Sequence, residues 1–181
     1  MLVVNLFGGP GTGKSTYATR LFSDLKVAGV NAEYVSEYAK DIVWGKEFAK
    51  LDDQLYILAK QNRKLHRLQG QVDVAVSDSP LLLGLHYAPP YYLGSTYTAL
   101  TKELFATYQN LNIFLTRDPA KKYNASGRMQ TEEEAKKIDE SLRRILANED
   151  LSFQELSANL ASIPEALALV MSSLEALKKA A

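Results

Sequence analysis

Residues 2–21 read LVVNLFGGPGTGKSTYATRL, and this stretch limits what the chain can fold into more than any other. An apolar run of strand length gives way to glycines at positions 8, 9, 11 and 13, a proline at 10 and a lysine at 14, after which a helical pattern begins. Ordering that many glycines costs backbone entropy, so a turn this rich in them has a job to do.

Similar apolar runs recur down the chain with helical patterns between them. Strands are expected over 2–7, 32–36, 72–77, 112–116 and 152–156, and helices over 14–28, 37–50, 53–68, 96–109, 131–147 and 164–179. This alternation is the signature of strand–helix–strand crossovers, and so of an α/β fold whose parallel sheet is covered on both faces. Thr131 followed by Glu134 is a capping-box pattern, and Asp52, ahead of Leu55 and Leu58, is the expected N-cap of the third helix. Two stretches are irregular, 88–95 and 117–130. No repeat, low-complexity tract or linker interrupts the chain, so a single domain over 1–181 with two loop excursions is expected.

Composition narrows the function classes. At 181 residues, with 46% apolar and 23% charged side chains, the chain has enough material for a continuous core and is neither disordered nor fibrous in character. It contains no cysteine, which removes disulfide frameworks, thiolate zinc sites and thiol nucleophiles and suits a reducing compartment. The formal net charge is zero, so no global basic field gathers nucleic acid and any anion must be held locally. The first apolar run is too short for a signal segment, and no later stretch is read as reaching the roughly 18 residues of a membrane span. A cytoplasmic protein with no membrane partner is the expectation.

Gly8-x-x-x-x-Gly13-Lys14-Ser15 is the pattern of a phosphate-binding loop placed between a strand and a helix. In such a loop Gly8, Gly9, Pro10, Gly11, Thr12 and Gly13 let backbone N–H groups converge, the helix adds its positive end, and Lys14 supplies a mobile cation. Polyphosphate, as in ATP or GTP, is the guest these groups suit. Ser15, with Thr16 beside it, offers a hydroxyl to Mg2+ at the terminal phosphates. Asp78 ends the third expected strand, where such proteins keep the acid that holds Mg2+ through its water shell; the plainer reading is a turn residue ahead of Pro80. Its neighbour is Ser79, whereas motor ATPases place a water-activating glutamate there. Neither an Asn-Lys-x-Asp guanine signature nor an Asp-x-x-Gly switch occurs. Motor and GTPase readings lose support, and a nucleotide-dependent switch or assembly module stands as the alternative to an enzyme.

Glu37 follows the second expected strand, at the sheet edge where open α/β folds bind ligands. There it either takes a proton from an attacking hydroxyl or simply complements a helix dipole. The stretch 117–131 carries Arg117, Lys121, Lys122 and Arg128, and reads either as a hinged lid that closes on a transferring phosphoryl group or as a solvated basic loop. Arg128 is the first choice for bidentate phosphate contact. Lys60, Lys64 and Arg67 share a helix face, and Tyr87, Tyr91, Tyr92 and Tyr97 surround two prolines. Together they read as a surface for a DNA strand and an extruded base, or as an amphipathic helix with Leu55, Leu58 and Leu65 inward beside packed tyrosines. Trp44, His66 and His86 show no ligand spacing.

On GGPGTGKST, VSEYA, VSDSP and KKYNASGRMQTEEEA, the chain resembles the nucleoside and nucleotide kinase branch of P-loop proteins, most nearly ribosylnicotinamide kinases and short phage-type P-loop kinases. The resemblance implies a three-layer P-loop kinase fold with a five-stranded parallel sheet in the order 2-3-1-4-5, and ATP with Mg2+ as cofactors. It implies Glu37 as base and phosphate contacts from Arg117 and Arg128. The Asp-Arg-Tyr or Glu-Arg-Ser element of nucleotide and deoxynucleoside kinases is absent, and DSPLLLG stands in its place. The acceptor implied is a hydroxyl of a nucleoside, nucleotide or modified base. Some phage members phosphorylate 5-hydroxymethyluracil within DNA, which makes DNA a further acceptor to consider.

Overall fold

The first strand, β1 (Leu2–Phe7), is buried at every residue, as a strand in the middle of a covered sheet must be. Leu2, Val4 and Leu6 pack into one layer, and Val3 and Phe7 into the other. The computed structural model describes residues 1–92, 95–123 and 130–180. Its other strands are β2 (Ala32–Val35), β3 (Val74–Ser77), β4 (Gln109–Thr116) and β5 (Gln154–Ser157). Its α-helices are α1 (Lys14–Val27), α2 (Tyr38–Trp44), α3 (Gln54–His66), α4 (Leu83–Tyr87), α5 (Ser95–Ala106), α6 (Glu132–Asn148) and α7 (Ile163–Ala180). The sheet order is β2-β3-β1-β4-β5 with every neighbour parallel, which is the expected 2-3-1-4-5 arrangement.

Two apolar layers sandwich the sheet. Tyr17, Leu21 and Leu25 of α1 and Ile163, Ala166 and Val170 of α7 cover one face. Leu58 and Leu65 of α3, Leu83 of α4, Tyr97 and Phe105 of α5, and Ile138, Leu142 and Leu146 of α6 cover the other. Between β1 and β4 a buried amide ladder replaces apolar contact: the Asn5 side chain donates to Asn110 Oδ1 at 2.9 Å and Asn112 Oδ1 at 3.1 Å. Asn5 lies opposite Asn112, so the ladder also marks the register of the central pair.

Several expected boundaries move, each for a local reason. The helix expected over 37–50 stops at Trp44, because Lys46 turns to a φ of 56° after Gly45; a 3₁₀ turn, Phe48–Asp52, follows. Asp53, not Asp52, caps α3, its carboxylate accepting from the Tyr56 N–H at 3.0 Å. With that start the inward stripe is Gln54, Leu58, Gln61 and Leu65, and Leu55 is left 45% exposed. The helix expected over 96–109 ends at Ala106, and β4 begins at Gln109. The Asn110 amide closes that junction by donating to the carbonyls of Phe105 and Tyr108. The Thr131–Glu134 capping box is formed as expected. Against the expectation that no stretch is long enough, Leu160–Ala180 has the length and composition to cross a membrane. Its residues Ile163, Ala166 and Val170 are packed on the sheet.

Candidate active site

The glycine loop leaves the carboxyl end of β1 and runs into α1. Gly11 has a φ of 78° and lies under the ring of Tyr123, which a β-carbon would strike. Gly13 caps α1 in the left-handed region at a φ of 104°, a conformation that glycine adopts freely. No acidic residue occupies the first turn of α1, so the positive end of that helix is unopposed. Thr12 tightens the loop by donating its hydroxyl to Gly9 O at 2.7 Å. Lys14 folds back over the loop, its ammonium donating to Gly8 O at 2.6 Å and Gly9 O at 3.1 Å. Burial lowers the Lys14 pKa, and the nearby Glu37, Asp78 and Asp139 carboxylates counter part of that.

Asp139, on α6, ties the loop to the far side of the sheet. One of its oxygens accepts from Gly9 N–H at 2.5 Å and the other from Arg117 Nε at 2.6 Å. Arg117, just past β4, keeps its Nη2 buried without a partner among the described residues. Asp78, just past β3, is 2% exposed. Its Oδ2 accepts from the Tyr34 hydroxyl at 2.7 Å, while Oδ1 is buried and has no partner among the described residues.

Glu37 occupies the N-cap position of α2, yet its side chain makes no capping bond. Burial raises its pKa; Lys14 pulls in the opposite direction, and Asp78 adds to the rise. The Glu37 carboxylate is therefore not committed to capping its own helix.

A cavity of about 1000 Å³ joins Lys14 and Glu37. One half is the loop: Gly8, Pro10, Gly11, Gly13, Lys14, Ser15 and Thr16. The other half is Val43, Trp44, Phe48, Gln54, Leu58, Gln61, Leu83 and Tyr87, with Glu37 and Lys40 also on the wall. Gly9, Thr12, Asp78 and Arg117 are not part of the lining; Ser79 takes the place of Asp78 at the surface. In the second excursion Lys121 donates to Ala158 O and so leaves the site, while the Tyr123 hydroxyl donates to Gln130 O, and Gln130 lines the cavity. Arg128 lies outside the described residues.

The basic stripe of α3 and the tyrosine cluster are only partly packed: Leu55, Tyr87 and Tyr91 are exposed. Lys64 donates to Ser36 O and pairs with Asp41 at 3.0 Å, and Lys60 sits over the Tyr56 ring. Tyr92 stacks on the buried Tyr97, and Tyr87 alone of the four lines the cavity. Sequence reasoning missed Tyr34, Asp139, Gln54 and Gln61. Three of these carried a signal: a polar side chain on an otherwise apolar helical stripe.

A glycine loop with its lysine and serine, set between the central strand and first helix of a 2-3-1-4-5 parallel sheet, defines a P-loop protein of kinase-like fold. The family model described as an AAA domain matches residues 3–162, and the chain belongs to that family. Two solved structures of NadR protein share the fold. The one in complex with NAD and AMP-PNP is 21% identical with a TM-score of 0.65, over 90% of this chain and 47% of that one. The one in complex with NR is 21% identical with a TM-score of 0.67, over 90% of this chain and 49% of that one. This chain therefore spans about half the length of the solved structures it matches. A search of curated proteins finds no match.

Proposed function

We propose that the chain is an ATP-dependent kinase that transfers the γ-phosphoryl group to a hydroxyl of a nucleoside. The observation that carries this reading is Glu37: a carboxylate with a raised pKa and no capping bond, facing the same cavity as Lys14 and Ser15. Phosphoryl transfer to an alcohol needs this pairing of a phosphate cradle with a proton acceptor. On this reading the loop amides hold the phosphates and Lys14 exchanges its two loop carbonyls for phosphate oxygens. Glu37 takes the acceptor proton, and Arg117, with Arg128 from a lid over about 117–131, neutralises developing charge. The buried Oδ1 of Asp78, unpartnered among the described residues, and the Ser15 hydroxyl are an all-oxygen donor set that fits Mg2+. When bound there, Mg2+ would supply positive charge to polarise the phosphates.

A neutral acceptor suits the other half of the cavity. Its cations among the described residues are Lys14, which belongs to the phosphate loop, and Lys40. A nucleoside monophosphate needs more positive charge than that, of the planar guanidinium kind. Aromatic faces of Trp44, Phe48 and Tyr87 suit a flat ring, and Gln54, whose amide N–H donates to Leu51 O at 2.7 Å, keeps its oxygen for a ring N–H or sugar hydroxyl. NadR protein has been solved with NR and with AMP-PNP, which accords with a nucleoside and a nucleotide sharing such a fold. The 5-hydroxymethyluracil-in-DNA reading gains little, since Lys64 is already paired within the chain. A switch or assembly module is disfavoured by Ser79, which cannot activate water as a glutamate would.

Labelled ATP offered with nucleosides including nicotinamide riboside, mononucleotides, and DNA carrying hydroxymethyl pyrimidines tests the proposal. Label should appear on a free nucleoside. Transfer to DNA alone would replace the acceptor, and phosphate release with no labelled acceptor would favour the switch.

A further inference from the structure

Tyr34 sits on β2 opposite Val76 of β3, and so alongside the strand that delivers Asp78. Its hydroxyl donates to Asp78 Oδ2 at 2.7 Å. Asp78 is almost fully enclosed, and its second oxygen has no partner among the described residues. A buried carboxylate with one oxygen bonded and the other bare is costly unless something from outside completes it.

We infer that Tyr34 is the positioning residue of the Mg2+ site: its hydroxyl bond to Oδ2 fixes the Asp78 carboxylate and reserves Oδ1 for the water shell of the cation. The inference rests on the kinase reading and adds to it a residue outside the cavity wall. Loss of the phenolic hydroxyl frees Asp78 to rotate, and the effect falls on the metal, not on the loop that grips the phosphates.

The test is AMP-PNP binding by calorimetry, with Mg2+ titrated from a chelator background. Tyr34→Phe should bind AMP-PNP without Mg2+ as the native chain does, while the Mg2+ midpoint rises roughly tenfold to hundredfold, the usual cost of removing an outer partner of a metal ligand. Asp78→Asn should shift the midpoint in the same direction, and adding Tyr34→Phe to it should change nothing more. Equal weakening of Tyr34→Phe with and without Mg2+ would mean a structural role only, and a native midpoint in either single variant would also overturn the inference. If the native chain binds AMP-PNP with no response to Mg2+, the inference and the kinase reading fall together. A native response that Tyr34→Phe keeps in full removes the inference alone.

Discussion

Glu37 and Asp78 are two carboxylates at the ends of neighbouring strands, and their surroundings differ. Asp78 has a phenol on one oxygen, whereas Glu37 makes no capping bond, and burial holds its pKa above the ordinary carboxylate range. On the kinase reading Glu37 is the base and must be ionised to accept a proton, so transfer should rise as pH climbs through that raised pKa. Stability runs the other way. The folded chain holds this proton more tightly than the unfolded chain, so stability falls as pH rises from the unfolded to the folded pKa, and the loss persists above it. Glu37→Gln separates the two effects. Its transfer rate should drop by about 10²–10⁴ with ATP affinity kept, while its melting temperature at neutral pH should exceed that of the native chain. A steady-state assay and a melting curve on one preparation check both, and a variant as active as the native chain would remove Glu37 from the chemistry.

At the scale of elements, caps decide where the cavity wall begins. Asp53 starts α3, whose inward stripe carries Gln54 and Gln61 while Leu55 is left exposed. Asp53→Ala should therefore cost about 1 kcal/mol in denaturant unfolding, and Asp52→Ala less than about 0.5 kcal/mol; the reverse order would restore the earlier cap. The same contrast explains what the sequence made legible. The loop from Gly8 to Ser15 could be read because strand, turn and helix are contiguous and each leaves its own pattern. The sheet could be read because apolar runs alternate with helical spacing. The bond from Tyr34 to Asp78 spans 44 residues and that from Asp139 to Gly9 spans 130, and no periodicity names a partner so far away. Asp139 is a charge on the stripe of Ala135, Ile138, Leu142 and Leu146, which announces a buried partner without saying which. The early stop of α2 was the most local miss: Gly45 is an ordinary stop signal, set inside a pattern whose apolar spacing read as continuous.

Across the whole molecule, Asp139 joins three parts that are remote in sequence: the loop after β1, the arginine after β4 and the helix that follows the second excursion. Both ends of that excursion thus rest on the phosphate loop, through Arg117 at its start and α6 at its end. The pair is largely enclosed, with side-chain exposure of 20% for Arg117 and 11% for Asp139. Asp139→Ala would leave a guanidinium and the Gly9 N–H without their carboxylate, a loss on the order of 3 kcal/mol for a pair this enclosed. On the kinase reading, bound nucleotide gives the stranded Arg117 a phosphate in place of the carboxylate. Ligand that binds the folded state stabilises it by mass action, and it does so more where it also relieves an unpaired charge. Asp139→Ala should therefore melt lower than the native chain without nucleotide, yet gain more on adding AMP-PNP and Mg2+. Asp139→Ala combined with Arg117→Met should recover much of the basal stability and lose that extra gain. Thermal melts of the three chains with and without AMP-PNP measure this directly, and an equal nucleotide shift in all three would mean that Arg117 makes no contact with the bound phosphates.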